Sequence, residues 1–479
     1  MLFSTTTFLF VFLPIVLGLY FLCPKRFRNI ILLVASLVFY AWGEIRYLLV
    51  MLATILVNYI LAILCGRCKE KGNQRGAKAA VIGTILFSIG MLAYFKYSNF
   101  FLTNLNGTVG KLAGFSVPLL KLALPLGISF YTFQTLSYTI DVYRGEVKYQ
   151  KNILTLATYV CLFPQLIAGP IVRYQTVEGE LQNRQESIDQ FAEGIRRFVI
   201  GLGKKVLLAN TAGSVFDLVG GMGDSQVTVG LYWLSSIAFT FQIYFDFSGY
   251  SDMAIGLGRM FGFRFLENFD YPYQSVSITD FWRRWHMSLS SWFRDYIYIP
   301  LGGNRKGTGR MILNMLIVWF LTGFWHGAAW NFILWGLYFF IILAIEKLGW
   351  SKVLARLPKV IQHIYALFLI NLSWVIFSYD SLSRLGTVLK RMFGMGGIPL
   401  WSSGTSYYVL AYLAMFLIMA VASTELPKRL IHRIGERIPV SARGTVQIIA
   451  EVAGILVVLL LSTSHLASDA FNPFLYFRF

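Results

Sequence analysis

Two histidines in this chain stand where an imidazole could do acid-base chemistry. His326 lies in Thr322-Gly323-Phe324-Trp325-His326-Gly327, after the apolar run Met315–Leu321 and before further strongly apolar sequence. A neutral imidazole between two glycines can accept a proton on flexible backbone. His286 lies in Trp282-Arg283-Arg284-Trp285-His286, and Trp282, Trp285, Leu289, Trp292 and Tyr296 recur at steps of 3, 4, 3 and 4. That spacing predicts a helix with an apolar stripe, Arg283, His286, Ser290 and Arg294 sharing the opposite face. Such a helix lies in the membrane interface or dips into the bilayer. A third cluster is Asp246-Phe247-Ser248-Gly249-Tyr250-Ser251-Asp252, where two carboxylates, two hydroxyls and a phenol fall within seven residues of an apolar run. Each group also has a structural reading: a buried histidine, a surface helix, or two aspartates paired inside a bundle. The functional reading makes Asp246, Ser248 and Tyr250 the lining of a polar passage.

Acyl transfer from a thioester to a hydroxyl needs a base on the hydroxyl and charge stabilisation at the tetrahedral centre, and one neutral histidine supplies the first. The glycine-rich basic loop Pro300-Leu301-Gly302-Gly303-Asn304-Arg305-Lys306-Gly307 offers backbone amides and cations to phosphates, though without the spacing of a Walker loop. A rival use of Asp246, Asp252 and His326 is a proton relay in a transporter, against which no pair of matching broken halves is visible. Cys65 and Cys68 have no further ligands nearby, so no metal site is expected.

The elements that position these groups are membrane helices. Of the 479 residues 56% are hydrophobic and 14% charged, which excludes a soluble globular chain, and the net charge of +19 belongs to membrane loops rather than to nucleic-acid binding. Apolar runs of spanning length are Phe8–Leu22, Ile30–Trp42, Leu48–Leu64, Ala80–Phe95, Leu119–Ile140, Leu154–Ile171, Phe198–Val219, Leu231–Phe261, Met311–Ile345, Val360–Phe377, Tyr408–Ala422 and Val446–Leu461. They predict an all-α polytopic protein of about 11 transmembrane helices, within the range 10–12, in one domain over residues 1–479. Leu231–Phe261 and Met311–Ile345 are too long for one simple span and short for two. Each is expected to be broken or steeply tilted, at Gly249, Gly256 and Gly258 in the first and at Gly323 and Gly327 in the second. Lys25, Arg26 and Arg28 after the first run, and Arg67, Lys69, Lys71, Arg75 and Lys78 after the third, put those loops in the cytoplasm and the N-terminus outside.

Motifs along most of the length resemble the membrane-bound O-acyltransferase family, in its bacterial branch typified by alginate O-acetylation. They include Phe39-Tyr40-Ala41-Trp42, Phe163-Pro164-Gln165-Leu166-Ile167-Ala168-Gly169-Pro170, the Tyr244–Gly256 segment, Asp280–His286, Tyr298–Arg305, Trp325-His326-Gly327 and the closing Asn472–Phe477. The resemblance implies helices, including broken, re-entrant and interfacial ones, around a central tunnel in the bacterial cytoplasmic membrane. It implies that His326 is the catalytic histidine and His286 its second histidine. Independently, Arg283, Arg284 and Arg305 are expected to attract the donor phosphates by their charge, with Trp285 beside them at the donor. No bound cofactor is expected; acetyl-CoA is the donor substrate. The acetyl group then passes outward to a polysaccharide by way of an SGNH-type partner, since the chain has no Gly-x-Ser-x-Gly elbow. The alternative within the family is D-alanyl transfer from a carrier-protein thioester to teichoic acid.

Overall fold

Long apolar runs leave helix as the self-satisfying backbone in lipid, and among the residues described by the computed structural model (1–436, 440–468 and 474–475) there is no strand. Among the described residues seven helices are long and apolar enough to cross a membrane, and Phe8–Leu22 is a shorter apolar helix. The protein is an all-α polytopic membrane protein. Its internal contacts fall into two compact units, residues 1–198 with 253–266, and residues 199–252 with 267–479.

The first unit contains α1 (Leu13–Leu22), α2 (Arg28–Glu70), α3 (Gln74–Leu92), α4 (Ile128–Arg144) and most of α5 (Ile188–Gly203). The runs Ile30–Trp42 and Leu48–Leu64 are the two legs of α2, which kinks at Glu44 (φ −148°, ψ 62°). Asn73 caps α3 by accepting from the Gly76 amide, and across the α2–α3 hairpin Asn58 bonds Ser88 at 3.3 Å. Two expected spans turn out differently. Leu154–Ile171 is helical only over Ile153–Cys161 and Phe163–Leu166, and Leu119–Ile140 only from Ile128. Almost every residue of Leu156–Val172 and of Ile128–Thr139 is buried in protein, so the apolarity of these runs reflects contact with other helices rather than with lipid.

Helix α6 (Val229–Met260) is one continuous helix of 32 residues, so of the two expected forms, broken or steeply tilted, it is not the broken one. Its glycines serve close packing. A Cβ on Gly249 would stand 2.8 Å from the Gly201 carbonyl oxygen, and one on Gly256 would stand 2.6 Å from that of Gly194. Backbones that approach so closely need glycine on the facing surface.

The second unit continues with α7 (Ile278–Arg284), α8 (Met287–Phe293), α9 (Thr308–His326), α10 (Trp330–Ile345), α11 (Lys359–Ser378), α12 (Leu382–Met392), α13 (Ser403–Ala422) and α14 (Val440–Ser468). Here the break in Met311–Ile345 is real: the helix stops at His326 and restarts at Trp330. The two sides form a tight hairpin, because the helical sequence reaches outward to Thr308 and to Leu354. Gly323 and Gly336 face each other at its crossing; a Cβ on the first would strike the Phe332 carbonyl, and on the second the Trp319 carbonyl. Asn331 donates to the Phe377 carbonyl at 2.9 Å, which sets α11 antiparallel to α10. The ends of the three helices therefore separate by charge. Arg305, Lys306, Arg310, Lys347, Lys352, Arg356 and Lys359 gather at one end, and His326 lies at the other, about 28 Å along α9 from Thr308.

Candidate functional site

A buried aromatic cluster fills the second unit where α7, α9, α10 and α11 meet, and His326 is set into it. The imidazole is 7% exposed; Trp335 presents its edge at 5.0 Å and Phe377 at 5.5 Å. His326 borders a cavity of about 30 Å³ whose other walls include Asp246, Trp285, Trp335, Trp374 and Leu475. That is space for one or two water-sized groups. Imidazole and carboxylate thus face one small, otherwise apolar chamber.

Asp246 and Asp252 are not paired with each other; each is held by a lysine. Lys205 Nζ donates to Asp246 Oδ1 at 2.5 Å and Lys204 Nζ to Asp252 Oδ2 at 2.7 Å. The Lys205–Asp246 side chains are only 4% exposed, and a buried pair persists only when its remaining atoms are also satisfied. Here the backbone N–H of Leu475 donates to Asp246 Oδ2 at 2.7 Å, and Phe474 lies between Tyr250, edge-on at 4.7 Å, and the Lys205 ammonium, 4.7 Å from its centroid. Of the closing motif, residues 472, 473, 476 and 477 lie outside the described residues. Ser248 and Tyr250 are both 2% exposed and neither borders the chamber; among the described residues the Ser248 hydroxyl has no hydrogen-bond partner. The lysines were absent from the sequence reasoning. Their signal was present: two adjacent cations inside the apolar run Phe198–Val219 require counter-ions.

His286 departs from its expected place. The predicted single helix is two short ones, α7 and α8, because His286 adopts the left-handed region (φ 45°, ψ 51°) and turns the chain. Its ring is fully buried rather than on a face with Arg283. Asn268 explains the turn. Its backbone carbonyl accepts from the Met287 amide at 3.0 Å, and its Oδ1 accepts from the Ser288 amide at 3.2 Å and from Ser288 Oγ at 2.8 Å, capping α8. The same oxygen lies 3.2 Å from His286 Nδ1. The Asn268 amide nitrogen donates to Ser251 at 3.1 Å, which fixes the orientation of that amide. An oxygen cannot donate, so His286 must carry its proton on Nδ1, leaving the buried Nε2 lone pair without a partner among the described residues. Burial pushes the imidazole well below its usual value, and the ring is neutral at pH 7. Phe247, a wall of the His326 chamber, packs edge-on against His286 at 4.6 Å.

The expected donor-binding residues separate in the same way. Trp285 is 3% exposed, 4.9 Å from Trp374, and faces the His326 chamber. Arg284 is committed to Asp280 at 3.1 Å and Asp270 at 3.5 Å. Arg283 and Arg305 are exposed, Arg305 in the loop before α9.

Residues 132–388 match the membrane-bound O-acyltransferase family, more than half the chain. The chain belongs to that family and is an integral membrane O-acyltransferase. Among curated proteins it is similar to the probable alginate O-acetylase AlgI of Azotobacter vinelandii, 38% identical over the full length of both chains. The peptidoglycan O-acetyltransferase of Helicobacter pylori is 35% identical over 84% of this chain and 81% of its own. The teichoic acid D-alanyltransferase of Bacillus subtilis is 30% identical over 49% of this chain and 62% of its own.

Proposed function

We propose that this protein moves an acetyl group from acetyl-CoA on the cytoplasmic side to a hydroxyl destined for an extracytoplasmic polysaccharide, with His326 as the base. The observation that carries this is the position of His326: in an aromatic-walled chamber it shares with Asp246, at the far end of a helix hairpin whose other end gathers seven cations. Basic loops face the cytoplasm, so the donor phosphates meet Arg283 and Arg305 there while the acceptor reaches His326 from outside. In the transfer the acceptor oxygen attacks the thioester carbonyl carbon as His326 takes its proton. The carbon–sulfur bond then breaks, and coenzyme A leaves as the thiol after receiving that proton. His286, with the Nε2 lone pair turned inward, acts beside the chamber, and Asp246 pairs there with Lys205.

A full-length relative named for O-acetylation of alginate, and one matching 84% of the chain named for O-acetylation of peptidoglycan, support acetyl as the group and a polysaccharide as the acceptor. D-alanyl transfer is supported by relatives that match about half the chain. Membership in an acyl-transferring family favours group transfer over proton-coupled transport. In this reading an SGNH-type partner outside the membrane carries the group onward to the polymer.

The test is transfer of labelled acetyl by the purified protein in vesicles, supplied with acetyl-CoA or with a charged carrier protein. Acetyl-CoA should serve and the carrier should not. His326→Ala should abolish transfer while melting like the wild type; wild-type transfer by that variant would remove His326 from the role.

A further inference from the structure

The second unit holds a polar cavity apart from the one at His326. It encloses about 400 Å³, within the range of about 300–1,000 Å³ typical of ligand sites. Its walls come from the loop before α6, the first turns of α6, and the junction of α11 with α12. Helix α12 divides its faces cleanly: Leu385, Val388 and Met392 are buried, and Arg384, Thr387 and Arg391 point to the other side at steps of 3 and 4. The cavity is therefore lined by two guanidinium groups, by the hydroxyls of Ser381, Ser383 and Thr387, and by the phenols Tyr232 and Tyr379.

One carboxylate already sits in this cavity and marks where an anion fits. Asp224 Oδ1 lies 2.6 Å from Arg391 Nη1, which also contacts the Tyr232 hydroxyl at 3.1 Å. The two sides of the pair differ: the Arg391 side chain is 18% exposed and that of Asp224 is 83% exposed. The cation is part of the wall, and the acid reaches it from a loop in solvent. Exposed pairs of this kind are weak, and a guanidinium accepts any carboxylate in the same fork. Arg384, 3.3 Å from the Gly220 carbonyl, supplies a second cation at the rim.

Neighbouring residues relate this cavity to the chamber at His326. It shares Tyr232, Tyr379 and Val388 with a smaller one beneath it, of about 10 Å³, which reaches Ser236 and Ser378. From Ser236 a buried polar ladder runs inward: its hydroxyl donates to Asn371 at 2.6 Å, and Asn371 donates to Thr240 at 2.9 Å. Thr240 is one turn from Ile243, and Phe377 is next to Ser378; Ile243 and Phe377 both line the His326 chamber.

We infer that this cavity binds a carboxylate-bearing sugar unit of the polysaccharide, holding the polymer on the face where the partner works, with Arg391 taking the sugar carboxylate in place of Asp224 and Arg384 guarding the rim. The inference rests on the polysaccharide reading above. A sugar fits the wall better than an acidic peptide does: clustered hydroxyls pair with sugar hydroxyls and the tyrosine rings with their C–H faces, and among the described residues no strand edge offers itself to a peptide backbone.

The test measures binding without any acetyl donor, so its outcome is independent of transfer. Purified full-length protein in nanodiscs is titrated with a fluorescent hexamer of a uronic acid, and separately with a neutral glucose hexamer. The acidic hexamer should bind, with an affinity that falls as salt rises, and the neutral one should bind at least tenfold more weakly. Arg384→Gln and Arg391→Gln should each weaken the acidic hexamer about tenfold. Asp224→Asn, an exposed change that leaves folding intact, should tighten it severalfold by removing the internal competitor. Equal binding of the two hexamers, an unchanged affinity in Asp224→Asn and both arginine variants, or displacement by an acidic peptide as effective as by the sugar would each overturn the inference. If the acidic hexamer binds while labelled acetyl is never transferred, the cavity stands and the proposed reaction falls. If transfer proceeds without hexamer binding, the reverse holds.

Discussion

Replacing Lys205 by methionine tests the electrostatics around Asp246. The methionine keeps most of the lysine stem and removes only the ammonium. At an effective dielectric of about 20, two unit charges 2.5 Å apart attract by about 7 kcal/mol. Desolvation of both groups cancels much of that in the folded protein, but deleting one partner leaves the other's desolvation uncompensated. Single deletions of this kind cost about 3–5 kcal/mol. Asp246 would retain only the Leu475 amide. At about 2–3 °C per kcal/mol, the melting midpoint in detergent should fall by roughly 6–15 °C. The double variant Lys205→Met/Asp246→Asn removes the stranded charge and still accepts from that amide, so it should recover at least half the loss. A Lys205→Met protein melting within about 2 °C of the wild type, or a double variant no better than the single one, would refute the buried-pair argument.

Two further outcomes follow from other contacts. Asn268→Leu removes the side-chain oxygen that accepts from the Ser288 amide and from His286 Nδ1, at about 1–3 kcal/mol for each bond lost. Limited proteolysis should then cut between α7 and α8, where the wild type is protected, and acetyl transfer should fall. In the first unit, Glu186 accepts from Tyr20 at 2.6 Å and pairs with Arg28 at 2.6 Å. Burial works to raise this carboxyl, but those two bonds outweigh it and hold it below the usual carboxylate range. A depressed folded value means the contribution is present above the unfolded value, about 4.3, and is lost as pH falls through the folded one. The stability gap between wild type and Glu186→Gln, measured by melting from pH 7 to pH 3, should therefore close below about pH 4.

Length and apolarity made the helical membrane class legible, because lipid leaves the backbone few choices. They also located the break at Gly327, where a histidine and a glycine interrupt an over-long run. The same reasoning misread Gly249 and Gly256, since a glycine that ends a helix and one that lets another backbone approach look alike in one chain; only the facing Gly201 and Gly194 tell them apart. His286 was misplaced for a similar reason. The Trp282–Tyr296 spacing fits one helix, and all five stripe residues are buried, but the stripe cannot show that Asn268, remote from that spacing, captures the chain and forces a left-handed residue into it. Lys204 and Lys205 could have been anticipated from charge alone. The polar cavity around Arg384 and Arg391 could not, because its walls come from segments more than 150 positions apart.

The dimensions of the His326 chamber bear on which acyl chains could be handled there. Its about 30 Å³ hold one or two water-sized groups, so on the reading proposed above a two-carbon group would fill it. Trp335 and Trp374, 0% and 1% exposed, are wedged against other rings and would have to be driven from their rotamers by each added methylene. Overpacking of that sort costs about 1–3 kcal/mol, so the indoles would act as a ruler, making propionyl a poor substrate and a fatty acyl chain an excluded one.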